Sequence, residues 1–404
     1  MNKDKKPGRI KSAVRRWLGV PISLTDGEFW AAYAGGQSAA GKSVTVDKAL
    51  QLSAVWSCVR LLSETIATLP VGFYEKTADG RQSANDHPLY ELLHNQPNAD
   101  MTAVEFWEMI MASLLLWGNA YAEIDRTGKR ITSLVPLRPE RMKVDLSSSG
   151  DPIYTYRDWP SGTSRNINER DIMHIRAFST NGVMGLSPVS YARQTLGLAM
   201  ATDEASAKVF KNGMRPSGVL SMDQILKKEQ RNEVRESMVE QFSGSMNTGK
   251  MMVLEAGMKF QPVDLNPEDA QMLQSRAFNI EEICRWFRVW PGLIGHSAQG
   301  QTMWGSGVEQ MLIGFLTFSL RPWLTRIEQA IRKSLLAPGE RNKYFAEFSI
   351  EGLLRADSAA RAAFYSTMTQ NGLMTRNEAR QKENLQPKPG ADQLTVQSNL
   401  LPID

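Results

Sequence analysis

Two long helical segments, separated by about fifty residues, constrain the fold of this 404-residue chain more than any other feature. The first begins at Ser187, a favoured N-cap followed by proline, and ends at Asn212-Gly213, so it spans about 37 Å. The second begins at Asn266 with acidic residues in its first turn and runs to about Arg288. Between them we expect a short helix, 227–242, and strands across 253–254 and 260–263. This pattern predicts a protruding module between two matched helices.

The residues before Ser187 predict an α+β unit with a mostly antiparallel sheet. Apolar residues at helical spacing indicate one helix from Asp47, its N-cap, to Leu69, and a second from Thr102 to Trp117. Segments rich in β-formers and bounded by turn residues predict strands at 71–76, 120–125, 132–136, 142–145, 153–157 and 171–176.

The residues after the second long helix begin with an uncharged stretch. From Val289 to Val308 the sequence contains no Asp, Glu, Lys or Arg. A long helix, 308–336, follows and is apolar around most of its circumference, so it must be buried among other helices or against neighbouring subunits. The remainder predicts a strand, two short helices and a mobile tail from Pro387, with the ordered elements at 344–349, 358–370 and 375–383.

Charge and composition exclude several classes of protein. The net charge of +4 is too small for a DNA-binding protein that relies on a basic patch, and only the first sixteen residues are strongly basic. The longest apolar run, 109–117, is too short to span a membrane, and no secretory signal is evident. Cys58 and Cys284 lie in apolar helical patterns, far in the sequence from any second Cys or His at metal-ligand spacing, so we expect buried thiols in a reducing, intracellular compartment.

Two motifs suggest catalysis, and their context disfavours both. Gly36–Ser43 matches the phosphate-loop pattern, which would make the chain an ATPase, but neither a buried strand before it nor a helix directly after it is expected. Gly295–Gln299 resembles a nucleophile elbow with Gln where Gly is required. The four histidines share no metal-ligand spacing, and no carboxylate pair stands out. We therefore predict no catalytic, cofactor or metal site, and a protein that is not an enzyme.

A family resemblance extends from about residue 45 to 385. Blocks of sequence resemble, in order and spacing, the portal (head–tail connector) proteins of tailed double-stranded DNA bacteriophages, of the lambdoid siphophage type. The usual proline pair after the second long helix is replaced here by Trp290-Pro291. The blocks are Ala49–Pro70, His87–Asn98, Gly118–Tyr121, Leu134–Arg141, His174–Arg176, Gly185–Pro188, Trp286–Gly295 and Gly372–Arg380.

The resemblance implies a ring, typically of twelve subunits, at one capsid vertex of the virion, assembled in the host bacterial cytoplasm. Double-stranded DNA would pass through it without sequence recognition during packaging and ejection. Its partners would be the terminase large subunit, a head-completion (adaptor) protein, and the major capsid and scaffold proteins, with no membrane contact. The implied parts are a basic arm (1–25), a wing (26–186 with the long wing helix 308–336), a two-helix stem (187–212 and 266–290), an α/β clip (213–265), a tunnel loop (291–307), and a small helical crown with the tail (337–404).

The resemblance also implies two sets of site residues. The tunnel loop would present Gln299, Gln301, Thr302, Met303 and Trp304 to DNA, and the clip would present Lys227, Lys228, Arg231 and Arg235 to partners. An uncharged loop can touch the DNA backbone without ion pairs that would trap it. Two alternatives remain open at this point: an ATPase that uses Gly36–Ser43, and a monomeric DNA-binding protein that uses the basic residues of 1–16.

Overall fold

The computed structural model of the chain describes residues 36–78, 80–211, 218–221, 259–262, 267–296, 306–350, 358–383 and 385–396. The chain divides into two compact units, one of residues 1–68 and 73–347, the other of residues 69–72 and 348–404. Helices and antiparallel strands alternate through the first unit, so the predicted α+β class is confirmed.

The first four helices are α1 (Val46–Ala49), α2 (Ser53–Ala67), α3 (Pro88–His94) and α4 (Ala103–Trp117). The prediction of one helix from Asp47 is wrong in two respects. Thr45 is the N-cap of α1, because its side chain accepts a hydrogen bond from the N–H of Lys48. The helix is then interrupted, since Leu52 adopts an extended backbone that buries its side chain.

Helix α4 has the predicted limits, and local interactions fix both. At its start, Thr102 and Glu105 form a reciprocal capping box. At its end, Gly118 adopts the left-handed conformation, with φ of +73°. Most of the helix is buried, and α2 packs against it.

The strands of the first unit form small sheets. Their bounds are β1 (Gly36–Gln37), β2 (Ser43–Val44), β3 (Val71–Thr77), β4 (Gly80–Ser83), β5 (Asn119–Thr127), β6 (Arg130–Leu137), β7 (Met142–Leu146), β8 (Pro152–Arg157), β9 (Ser164–Ile167), β10 (Ile172–Arg176) and β13 (Tyr344–Phe348). β5 lies between β6 and β10, and both neighbours are antiparallel to it. β7, β8 and β9 form an antiparallel meander, and β3 lies between β4 and β13. The short strands β4 and β9 were not predicted, because they carry few buried apolar residues.

A core cluster joins the sheet of β5, β6 and β10 to the meander of β7 to β9. The pairing places Tyr121 opposite both Leu137 and His174, so these side chains share one face. The buried members are Tyr121, Leu137, Met142, Val144, Tyr154, Tyr156, Ile167, Ile172 and Met184.

The two long helices are present, with one interruption. Ser187 caps α5 (Pro188–Tyr191) as predicted, and Ala192 then separates it from α6 (Arg193–Lys211) with a single turn residue. The second long helix is α7 (Pro267–Phe287). Between them, β11 (Gly218–Ser221) pairs antiparallel with β12 (Lys259–Pro262). The partner expected for β12, residues 253–254, lies outside the described residues.

The long apolar helix runs continuously over residues 306–334, but its geometry is not uniform. α8 (Ser306–Gly314) leads into a π-helical turn (Phe315–Leu320), which leads into α9 (Arg321–Ser334). Pro322 explains the widened turn, because it has no N–H to donate and its ring would crowd the carbonyl one turn earlier.

In the second unit, α10 (Ser358–Gln370) and α11 (Arg376–Lys382) confirm the two predicted short helices. The tail beyond Pro387 was expected to be mobile, but residues 387–396 are held in place. The Asn377 side chain donates to the carbonyl of Lys388 and accepts from its N–H, and Asn371 forms a bridge with Val396.

A buried polar junction fixes the start of α5. Asn119 is completely buried, and its Nδ2 donates to the carbonyls of Gly185 (2.8 Å) and Trp117 (3.2 Å). Its Oδ1 accepts from the N–H of Gly185 (2.8 Å). Ser187 Oγ donates to the carbonyl of Leu116 (2.7 Å). The end of α4 therefore holds the segment from which α5 and α6 begin.

Gly118→Ala is expected to destabilise the first unit strongly, because the added methyl would lie 2.2 Å from the carbonyl oxygen of Leu186. Gly128→Ala is the matched control, since Gly128 has φ of +65° but nothing within 4 Å of its missing Cβ. The control should lose only about 1 kcal/mol through left-handed backbone strain. Urea unfolding followed by tryptophan fluorescence should show a loss for Gly118→Ala of at least twice that. Equal losses would show that the close approach is not required.

Candidate functional site

The phosphate-loop motif folds as a hairpin packed against α6. β1 pairs with β2, with Gly36 opposite Val44. The N–H of Ala39 donates to the Gln194 side chain (2.8 Å), and Lys42 forms an ion pair with Glu204. A phosphate loop instead needs a buried strand before it, a helix directly after it and a lysine that reaches phosphate. The structure therefore gives the ATPase alternative no support.

The two long helices pack together, as their matched lengths predict. Among the side chains that the structure describes, Arg276 lies 3.2 Å from Asp203, and Trp286 donates to Thr195 (3.3 Å). Gly197 of α6 faces the β1–β2 hairpin, because a Cβ at this position would lie 2.1 Å from the Ser38 hydroxyl oxygen.

The uncharged segment after α7 is anchored where it begins. Arg288 has a positive φ of 57°, and its carbonyl accepts a hydrogen bond from Ser319 Oγ in the π-helical turn. The ring of Trp290 packs against Gly314, where a Cβ would meet it at 3.2 Å. A 3₁₀ turn, Pro291–Ile294, then leads toward the loop. The start of the segment is therefore attached to the long helix that follows it in the chain.

The nine predicted site residues lie outside the described residues. They are Gln299, Gln301, Thr302, Met303 and Trp304 of the tunnel loop, and Lys227, Lys228, Arg231 and Arg235 of the clip. The structure describes how these segments are attached: the loop leaves after His296 and returns at Ser306, and the clip segment is bounded by the paired strands β11 and β12.

Two cysteines that the sequence placed far apart are neighbours. Cys58 of α2 and Cys284 of α7 are both buried, as predicted, and their Sγ atoms lie 4.0 Å apart. The sequence analysis did not predict this contact. Because 226 positions separate them, the sequence carried only a weak signal: each occupies a buried position of its helix.

The histidines that the described residues include have structural surroundings. His87 caps α3, since its Nδ1 accepts from the N–H of Leu89, and its ring stacks on Phe73. His296 lies 3.8 Å from Glu281. In the described part of the chain, His, Cys, Asp and Glu do not cluster in threes that could hold a metal ion. Of the helices described there, none has both the length and the apolar content to cross a bilayer.

His174 belongs to a buried network of neutral groups. Its Nε2 lies 2.9 Å from Asn119 Oδ1, and its Nδ1 lies 3.2 Å from the Tyr154 hydroxyl. Because Oδ1 can only accept, Nε2 carries the proton and Tyr154 donates to Nδ1. Burial, aided by the positive charges of Arg176 and Lys333, holds the pKa of His174 well below its ordinary value of 6.5. Burial also raises the pKa of Tyr154 to about 12, so both groups stay neutral.

A basic cleft of about 450 Å³ opens beside this network. Arg126 and Arg341 donate to carbonyls in the last turn of α9, where the helix dipole favours positive charge. Lys333 lies 3.6 Å from Glu169. Through these contacts the basic side chains attach α9 to the neighbouring segments. The charged lining residues are Arg126, Lys129, Glu169, Arg170, Arg176, Lys333, Glu340 and Arg341.

Comparison with known proteins identifies the family of the chain. The sequence model described as "Phage portal protein" matches residues 53–384. The portal protein of Enterobacteria phage HK97 is 36% identical over 365 residues, which cover 89% of this chain and 85% of the relative. The chain belongs to the phage portal protein family.

Two solved structures share the fold. One comes from the neck of an empty gene transfer agent (GTA) particle computed with C6 symmetry; it has a TM-score of 0.64, 25% identity, and coverage of 91% of this chain and 100% of the other. The second comes from the neck of a native GTA particle computed with C12 symmetry, with a TM-score of 0.60, 25% identity, and coverage of 83% and 91%. The resemblance to phage portal proteins is thus confirmed.

The sequence blocks that resemble portal proteins supply turns and caps. Gly118–Tyr121, His174–Arg176 and Gly185–Pro188 meet at the Asn119 junction, where each contributes a hydrogen-bonding group. In the block near the C-terminus, Thr375 and Glu378 form the capping box of α11. Three of the blocks therefore meet at one hydrogen-bonded junction.

Replacing His174 should change how stability depends on pH. Folded His174 stays neutral, whereas the unfolded side chain binds a proton near its ordinary pKa of 6.5. The unfolded state therefore binds more protons below that pH, and the folded state loses up to about 1.4 kcal/mol per pH unit as the pH falls. His174→Gln removes this contribution and leaves a neutral amide. Urea unfolding at several pH values between about 7.5 and 5.5 should show the gap between the two chains narrowing as the pH falls. Parallel curves would contradict the assignment.

Proposed function

We propose that this chain forms the ring-shaped portal at one capsid vertex, through which double-stranded DNA is packaged and ejected. The observation that carries the proposal is the family match over residues 53–384. The similarity to neck structures computed with C6 and C12 symmetry supports a ring of twelve subunits, located in the virion. The chain acts as a structural conduit and not as an enzyme.

Exposed apolar side chains support the ring. The long helix was expected to be buried among helices or against neighbouring subunits, yet Phe318 is 62% exposed in the isolated chain, and Leu312 and Ile313 are also exposed. On α7, Phe278 is 54% exposed. Apolar surface of this kind marks interfaces, and a head-to-tail contact repeated around an axis closes into a ring.

In this ring, α5, α6 and α7 form the stem, and the uncharged residues 291–307 form the tunnel loop. Residues 26–186 and 308–336 form the wing, and 337–404 form the crown and tail. Gln299, Gln301, Thr302, Met303 and Trp304 face the DNA. Because the loop carries no charge, it touches the DNA backbone without the ion pairs whose counterion release makes binding tight.

The clip, 213–265, is the docking surface for partners. Its basic residues Lys227, Lys228, Arg231 and Arg235 contact the terminase large subunit during packaging, and the head-completion protein afterwards. Assembly takes place in the host cytoplasm with capsid and scaffold proteins. The arm, 1–25, is an accessory basic segment.

The mass of the purified assembly tests the ring directly. Twelve chains of 45.2 kDa give a particle of about 540 kDa, measured by native mass spectrometry or light scattering. A recombinant ring of thirteen would also support the portal. A stable monomer or dimer would overturn the proposal.

Charge introduced into the tunnel loop should hinder DNA passage without affecting the ring. The double variant Gln299→Lys/Gln301→Lys adds about two dozen positive charges to a twelve-subunit channel, which favours tight phosphate contacts. We expect rings of unchanged mass and a severalfold loss of nuclease-protected DNA per particle, measured by quantitative PCR.

The matched control is Gln299→Asn/Gln301→Asn, which keeps both amides and should package normally. Full packaging by the lysine variant would show that these residues do not face DNA. Loss of the ring in the lysine variant would show that the segment is a subunit interface.

A further inference from the structure

The buried cysteine pair has a geometry close to that of a disulfide. Cys58 and Cys284 are the two cysteines of the chain, they are 0% and 1% exposed, and their Sγ atoms are 4.0 Å apart. A disulfide needs sulfurs at about 2.05 Å, so each must move by about 1 Å, which is within the range of a small side-chain rotation.

The two thiols share a hydrogen bond in which either sulfur can be the donor. That bond and burial raise the pKa of Cys58. The thiolate is the reactive form of cysteine, so oxidation begins with whichever thiol loses its proton first.

We propose that Cys58 and Cys284 form an intrachain disulfide when hydrogen peroxide, an oxidant little larger than water, oxidises the buried pair. The thiolate of one cysteine attacks an oxygen of the peroxide, the O–O bond breaks, and the products are a sulfenic acid and hydroxide. The second cysteine loses its proton and attacks the sulfur of the sulfenic acid, the S–O bond breaks, and the oxygen leaves as water. The protein thiols lose two protons and two electrons, and the peroxide becomes two water molecules.

The bond would join α2 to α7 across a loop of 226 residues. A crosslink over so long a loop restricts the unfolded chain and raises stability. It would also fix the base of the helix that leads to the tunnel loop. The setting rests on the proposed function: the thiols stay reduced during assembly in the cytoplasm, and a released virion meets an oxidising medium.

The test uses the full chain, reduced and then exposed to hydrogen peroxide. After denaturation in N-ethylmaleimide, intact mass spectrometry should find two maleimide adducts on the reduced chain and none on the oxidised chain. A non-reduced digest should contain the peptide pair linked through Cys58 and Cys284. The oxidised chain should have a higher urea midpoint, and dithiothreitol should restore the original value.

Cys58→Ser and Cys284→Ser are the controls, because a single thiol cannot form the intrachain bond and the oxidant should not raise their midpoints. Two maleimide adducts on the folded chain, under conditions that oxidise the urea-unfolded chain, would overturn the proposal. Crosslinked dimers on a non-reducing gel would also overturn it. The particle mass, measured on the same samples, tests the ring independently.

Discussion

The first unit depends on one buried amide, that of Asn119. A buried amide that lacks partners would cost the folded state several kcal/mol, so its surroundings must supply donors and acceptors in fixed positions. Gly185 supplies both through its backbone, Trp117 supplies a carbonyl, and His174 donates from Nε2. The amide therefore sets the relative positions of α4, β5, β10 and the segment before α5. Helices α5 and α6 begin at this rigid corner.

Close backbone approach makes that corner possible. A Cβ at Gly185 would lie 1.9 Å from the carbonyl oxygen of Gly118, so only glycine allows the two segments to meet. Three blocks that look separate in the sequence, 118–121, 174–176 and 185–188, are thus one structural site. No single block reveals this site by itself.

The sequence predicted what local interactions determine. The two ends of α4 and the start of α11 were predictable, because the residues that cap each helix end lie within three positions of each other in the chain. The break before α2 and the cysteine contact escaped prediction, because both depend on packing between distant segments. The π-helical turn was also not predicted, although Pro322 is a sequence signal for it. Gly36–Ser43 shows the converse, since a complete local motif forms a hairpin when its flanks do not supply a strand and a helix.

For the candidate site, the sequence shows that the loop is uncharged, and the structure shows how the loop is attached to the long helix. The absence of charge from 289 to 308 is evident in the sequence, whereas the assignment of individual residues to DNA came from the family resemblance. The structure adds that Ser319 holds the Arg288 carbonyl and that Gly314 receives the Trp290 ring. In the proposed ring, a loop that contacts moving DNA must keep its position without binding phosphate. The contacts with the long helix keep the loop in position, and its uncharged surface avoids binding phosphate.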